Sequence, residues 1–150
     1  MRFWFDTEFI EDGRTIDLMS IGIIAEDGRE LYVENLDCDL SMAGDWVRQN
    51  VIPHLGKDDP LRLYRKQIRH TVREFVGEHP VTTGPTKPEF WAYYADYDWV
   101  VLCQLFGTMM DLPNGWPMYC RDVKQLCDML GNPKLPEKNK GEHISSPLRG

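Results

Sequence analysis

No stretch of this chain approaches the roughly 18 consecutive apolar residues that a bilayer-spanning helix needs, so a helical membrane anchor is excluded. Cysteine is sparse and carries no paired pattern. Cys38, Cys103, Cys120 and Cys127 include no C-x-x-C, and no signal-peptide pattern precedes Met1-Arg2-Phe3, so free thiols and a cytoplasmic location are expected. Positive charge is also short: 17 Lys and Arg against 24 Asp and Glu leave a formal net charge of -7. Non-specific attraction to nucleic acid or to an anionic membrane is thereby disfavoured, and a phosphate-bearing substrate requires a local basic patch or a bound metal. What is present suffices for a core. With 42% hydrophobic and 11% aromatic residues in 150, the composition predicts one globular domain spanning 1–150.

The informative stretch is Phe3-Trp4-Phe5-Asp6-Thr7-Glu8-Phe9. A short run of aromatics is strand-like in type and length, and its apolar character predicts a central strand covered on both faces. Side chains alternate along a strand, so Asp6 and Glu8 share a face and sit close together. Adjacent carboxylates repel. A divalent cation relieves the repulsion, and an all-oxygen donor set suits Mg²⁺ or Mn²⁺ better than zinc. The competing reading is a strand end fraying into a polar turn.

Asp12-Gly13 then signals a turn, Ile16 to Ala25 a second strand, Glu26 to Arg29 a second turn, and Glu30 to Val33 a third strand, which together give an antiparallel meander. Ser41 is a candidate cap for a helix over Met42 to Gln49 that buries Trp46 and Val47 and stops at Pro53. From Leu61 to Val76, the positions Leu61, Tyr64, Ile68, Val72 and Phe75 form one apolar helical stripe. Beside it Arg62, Arg65, Lys66, Arg69 and Arg73 form a basic stripe, which either tracks a phosphate backbone or is a solvated face paired with local acids.

Beyond the Pro-rich loop from Gly77 to Pro88, Glu89 to Tyr94 reads as a buried aromatic strand. A helix from near Asp96 buries Val100, Val101, Leu102, Leu105 and Phe106 and closes at Gly107. A turn over Pro113 to Pro117, a strand over Met118 to Cys120 and a helix over Arg121 to Leu130 follow, the last with Val123, Leu126, Cys127 and Leu130 inward. Meander first and alternating elements afterwards is an α/β pattern with a mixed central sheet and flanking helices. Asp98, directly after the aromatic strand, either caps its helix or faces Asp6 and Glu8 as the third acid of a cluster able to hold two cations roughly 4 Å apart.

These segments resemble a known family. Phe5-Asp6-Thr7-Glu8-Phe9 is similar to the first motif of the DEDD (DnaQ-like) 3'-to-5' exonucleases, and Tyr97-Asp98 with Leu102 is similar to the second. The runs Asp-Thr-Glu-Phe, Arg-Thr-Ile-Asp-Leu, Cys-Gln-Leu-Phe-Gly and Gly-Trp-Pro-Met resemble those of small single-domain bacterial and phage exoribonucleases, with matches from Met1 to about His143. The resemblance implies a ribonuclease H-like fold, with Asp6 and Glu8 as ligands of two Mg²⁺ or Mn²⁺ ions and Asp98 holding the second ion directly or through water. In the histidine branch the third motif is His, four residues, then Asp, followed by a closing helix. His143 matches and is implied as the general base. Leu148 stands where the Asp belongs, and Ile144 to Gly150 lacks the helix pattern, so a weakened metal site and an altered or truncated closing segment are expected.

The function expected on this basis is a metal-dependent 3'-to-5' exoribonuclease acting on single-stranded RNA, with Phe9 stacking on the terminal base and the basic stripe holding the strand. The alternatives are single-stranded DNA as the polymer, a non-catalytic nucleic-acid-binding module of the same fold, and a metal phosphatase. The aromatics Trp4, Trp46, Trp91, Trp99 and Trp116 raise the expectation of a homodimer.

Overall fold

The computed structural model describes residues 1–77 and 87–136. Among these residues a mixed six-stranded sheet, in the spatial order β4-β3-β2-β1-β5-β6, carries four α-helices. β1 (Arg2–Glu11), β2 (Ile16–Ala25) and β3 (Glu30–Asn35) form the expected antiparallel meander. β4 (Leu61–Leu63) extends it in parallel beside β3, while β5 (Glu89–Ala92) and β6 (Arg121–Asp122) add in parallel beyond β1.

β1 is internal, and its alternation is visible in burial. Phe3, Phe5 and Thr7 are buried on one face, while Trp4, Asp6 and Glu8 are only half-buried on the other. The buried face packs against Ile68, Val72 and Val76 of α2 (Arg65–Val76) and against Trp99, Val101 and Leu102 of α3 (Ala95–Gln104). Phe90 sits at the aromatic centre, with ring centroids 5.0 Å from Trp116, 5.4 Å from Trp99 and 6.1 Å from Phe5. Trp116 Nε1 also donates to the Gly77 carbonyl at 2.8 Å, so its polar edge is satisfied inside an apolar cluster.

A register shift between Glu8 and Phe9 places one extra residue, Met19, in β2. The bulge reverses the alternation there. Leu18 therefore joins the main core, while its neighbour Met19 joins Ile10, Ala43 and Val51 in a second, smaller core on the other side.

Several expected boundaries move. The apolar spacing from Leu61 to Val76 is not one helix. Leu61–Leu63 pairs with Val33–Asn35, Tyr64 is extended, and α2 begins at Arg65, whose N–H donates to Asp37 Oδ2 at 2.6 Å. Leu61 and Tyr64 are exposed, and the true stripe is Ile68, Val72, Phe75 and Val76. The helix expected over Met42 to Gln49 splits into a 3-10 turn at Leu40–Met42, capped by Asp39 rather than Ser41, and α1 (Asp45–Asn50). Trp46 is 68% exposed instead of buried, while Val47 packs on the second core. Gly107, with φ +117, follows α3 by three residues rather than closing it. The aromatic strand ends at Ala92, and the last strand falls at Arg121–Asp122 rather than Met118 to Cys120, so α4 is Val123–Met129. Val100, Leu126 and Leu130, expected inward, are exposed. Trp99 and Trp116 fill the core and Trp4 and Trp91 are half-buried, which leaves Trp46 as the exposed tryptophan. All four cysteines are free, and no described helix is long and apolar enough to cross a membrane.

Candidate active site

β5 pairs with β1 only from Arg2 to Trp4, opposite Glu89 to Trp91. Beyond that point no strand among the described residues lies on the β5 side of β1, and the Thr7 N–H, which a longer β5 would have engaged, donates instead to Asp98 Oδ1 at 3.0 Å. Thr7 Oγ1 donates to the same oxygen. The buried face of β1 thus carries the residue that anchors Asp98, and the opposite face carries Asp6 and Glu8. Both faces meet at one open cleft of about 430 Å³, lined by Asp6, Thr7, Glu8, Phe9, Tyr93, Tyr94, Asp96, Tyr97, Asp98 and Asp122.

Asp98 is 5% exposed, and burial pushes its carboxyl up to about 6, against the lowering effect of the two Thr7 hydrogen bonds and with a further push from the Asp122 charge. A carboxylate so desolvated, with other acids lining the same cleft, is poised for a cation or a proton.

Asp122 is a site residue that the sequence reading missed. At the end of β6 it accepts from Lys124 N at 2.8 Å as the cap of α4, and across the sheet from Tyr94 N at 3.2 Å and Ala95 N at 3.4 Å at the start of α3. The signal was available: an Asp immediately before a helical apolar pattern is a cap candidate. Its placement in the cleft was not, because it requires knowing that β6 lies beside β5. The sequence pattern gives Tyr93 and Tyr94 as strand positions and Asp96 as a helix start rather than as cleft walls, and gives Tyr97 only as the neighbour of Asp98 in the second motif.

Of the residues expected to act, the cleft brings together Asp6, Glu8, Asp98 and Phe9, the last with its ring centroid 5.8 Å from that of Tyr97. His143 and Leu148 lie outside the described residues. Among the described residues no three His, Cys, Asp or Glu side chains stand close enough to hold a metal ion by themselves.

The basic stripe is only partly a stripe. Arg62 is on β4, with Nε 3.5 Å from the buried Glu34 carboxylate, and Arg65 is ion-paired with Asp17. Lys66, Arg69 and Arg73 remain on α2, where they line a second surface cleft with Gln67, His70 and Thr71. Lys66 and Arg69 form no ion pair among the described residues.

A family model, the 3'-5' exoribonuclease Rv2179c-like domain, matches residues 1–145. Two curated relatives from Mycobacterium tuberculosis, the 3'-5' exoribonuclease Rv2179c of strain H37Rv and the 3'-5' exoribonuclease MT2234.1 of strain CDC 1551, are each 43% identical over 144 residues. The match covers 95% of this chain and 83% of either relative. A match over nearly the whole length, including both segments that build the cleft, places this chain in the Rv2179c-like 3'-5' exoribonuclease family.

Proposed function

We propose that the chain is a metal-dependent 3'-to-5' exoribonuclease of the DEDD type on a ribonuclease H-like fold, releasing nucleotides from single-stranded RNA. The observation that carries this reading is the convergence of Asp6 and Glu8 from one face of β1, and Asp98 from α3 on the other, on a single open cleft. The family match supports the same reaction.

The donor set fits Mg²⁺ or Mn²⁺. It consists of carboxylate oxygens, the hard donors that such cations take, with the rest of the shell left to waters and substrate phosphate oxygens. Asp6 and Glu8 would hold such an ion, and Asp98 would bind a second one directly or through water. When bound, the metals supply an activated water and charge neutralisation at the phosphorus. The protein's own contributions are distinct. Thr7 fixes the Asp98 carboxylate by two hydrogen bonds. Phe9 offers a ring to the terminal base, and His143 is the proposed general base. Lys66, Arg69 and Arg73 carry the body of the strand.

The test is hydrolysis of 5'-labelled single-stranded RNA in Mn²⁺ beside an Asp6→Ala control. A ladder of shortening 5'-labelled products that disappears in the variant is expected, together with loss of the calorimetric heat of Mn²⁺ binding. Cleavage of circular RNA at the same rate as linear RNA, or Mn²⁺ heats identical in parent and variant, would overturn the reading. Faster turnover of single-stranded DNA would reassign the polymer.

A further inference from the structure

Tyr94 combines three features that its place in the fold does not require. It is a large aromatic that is 63% exposed, it lines the carboxylate cleft, and it is a non-glycine residue at φ 56° and ψ 60° in the left-handed region. Glycine or asparagine is the ordinary occupant of that conformation, so an aromatic there is held against its backbone preference. The restraint is visible. Asp122 accepts from Tyr94 N at 3.2 Å and from Ala95 N at 3.4 Å while also capping α4 through Lys124 N, so one carboxylate ties the start of α3 to the start of α4. The Tyr93 ring stands edge-on to Tyr94, with centroids 4.7 Å apart at 84°. Strain maintained at a cleft wall points to use of the side chain it presents.

The chemistry of the cleft selects what that side chain meets. Asp6, Glu8, Asp96, Asp98 and Asp122 make the cleft strongly negative, which disfavours a phosphate against the tyrosine rings, whereas a flat uncharged ring can stack there without adding like charge. A nucleobase is such a ring. Phe9 and Tyr97 form one ring pair in the cleft and Tyr93 and Tyr94 form another, and no ring contact joins the two pairs.

We propose that Tyr94, backed by Tyr93 and held by Asp122, is a stacking wall for the base of the terminal nucleotide, separate from the Phe9 ring. The proposal rests on the exoribonuclease reading of the cleft. Recognition by a ring face makes no hydrogen-bond demand, so all four bases are accepted, purines ahead of pyrimidines, provided the base is unpaired.

The experiment uses the full chain, as parent, Tyr94→Ala and Tyr94→Phe, on 5'-labelled oligoribonucleotides ending in adenosine, uridine or an abasic ribose. The parent is expected to prefer adenosine to uridine and uridine to the abasic end. Tyr94→Ala should lose roughly 5- to 150-fold in kcat/KM on adenosine, as removal of one stacking partner does, yet remain within about twofold on the abasic end. Tyr94→Phe should match the parent, since the ring and not the hydroxyl is used. Equal losses on adenosine and abasic ends would show a merely structural residue and overturn the proposal, as would a parent indifferent to loss of the base. A second readout, independent of turnover, is fluorescence of an RNA bearing 3'-terminal 2-aminopurine, titrated with protein in EDTA. Quenching in the parent and Tyr94→Phe that is lost in Tyr94→Ala is expected. If the parent hydrolyses none of the substrates, the exoribonuclease reading falls and the quenching titration alone decides the role of Tyr94: unchanged quenching in Tyr94→Ala overturns it.

Discussion

Replacing Asp98 with asparagine should make the metal-free protein more stable at neutral pH while removing a group that the proposed reaction needs. Asp98 is 5% exposed, and burial raises its carboxyl from 3.8 to about 6. The folded state therefore binds this proton more tightly than the unfolded chain does. The stabilisation that the proton brings is complete below about pH 3.8, declines as pH rises through about 6, and is absent above that. A difference of about two pKa units corresponds to about 3 kcal/mol. Asparagine fixes the neutral form. Its carbonyl oxygen still accepts from Thr7 N and Oγ1. In EDTA at pH 8, Asp98→Asn should exceed the parent by up to about 3 kcal/mol, which for a chain of this size is a rise of roughly 6 to 12 °C in Tm. Near pH 3.5 the two should converge. Urea titrations every half unit of pH measure the difference directly. Stability profiles that run parallel from pH 8 to 3.5, or a variant less stable than the parent at pH 8, would refute the assignment of an uncompensated charge to Asp98.

Two further outcomes test parts of the fold that carry charge. Glu34 is 2% exposed and accepts from Gly56 N at 2.8 Å and Tyr32 Oη at 2.9 Å, with Arg62 nearby, so Glu34→Ala should cost about 2 to 4 kcal/mol in urea unfolding by stranding those donors; a loss under about 1 kcal/mol would show that water replaces the carboxylate. Replacing Lys66 and Arg69 together with alanine should flatten the dependence of log K on log salt for single-stranded RNA, read by fluorescence anisotropy, by about 1.4, or ~0.7 for each lost phosphate contact. Arg62→Ala should leave that slope unchanged, because its guanidinium is engaged with Glu34; a slope unaffected in the double variant removes α2 from the RNA path.

The sequence disclosed most where one pattern had one cause. Alternation across Phe3 to Phe9 placed Asp6 and Glu8 correctly because β1 is a long internal strand, and the turn residues Asp12-Gly13 and Asp27-Gly28 delimited the meander because few other residues suit such turns. It misled where spacing had two causes. Leu61, Tyr64 and Ile68 fall at helical intervals, but Leu61 belongs to an edge strand and Tyr64 is the extended residue before α2, a distinction made by the pairing of Leu61–Leu63 with Val33–Asn35, 28 positions earlier. The inward positions expected for Leu126 and Leu130 fail for a related reason: periodicity says that a helix has an apolar face, not which neighbour covers it. Asp122 and Tyr94 were invisible as site residues because their roles depend on β6 lying beside β5, a contact between segments about 28 positions apart that no local pattern encodes.

The distribution of charge constrains how an acidic protein of this family can hold RNA. Of the five cations expected to track phosphates, Arg62 and Arg65 are ion-paired with Glu34 and Asp17, which offsets part of their charge. Lys66, Arg69 and Arg73 line a cleft on α2 that shares no residue with the carboxylate cleft, which is walled by acids and aromatic rings. In the proposed binding mode, electrostatic attraction from the protein then acts on the body of the strand and opposes entry of its terminal phosphate. In the proposed reaction the terminal nucleotide is drawn in by two things that do not depend on net positive charge: the cation held by Asp6 and Glu8, and the neutral ring faces of Phe9 and Tyr94. Removing the metal then leaves base stacking as the sole attraction at the terminus, and that contribution is the one least sensitive to salt.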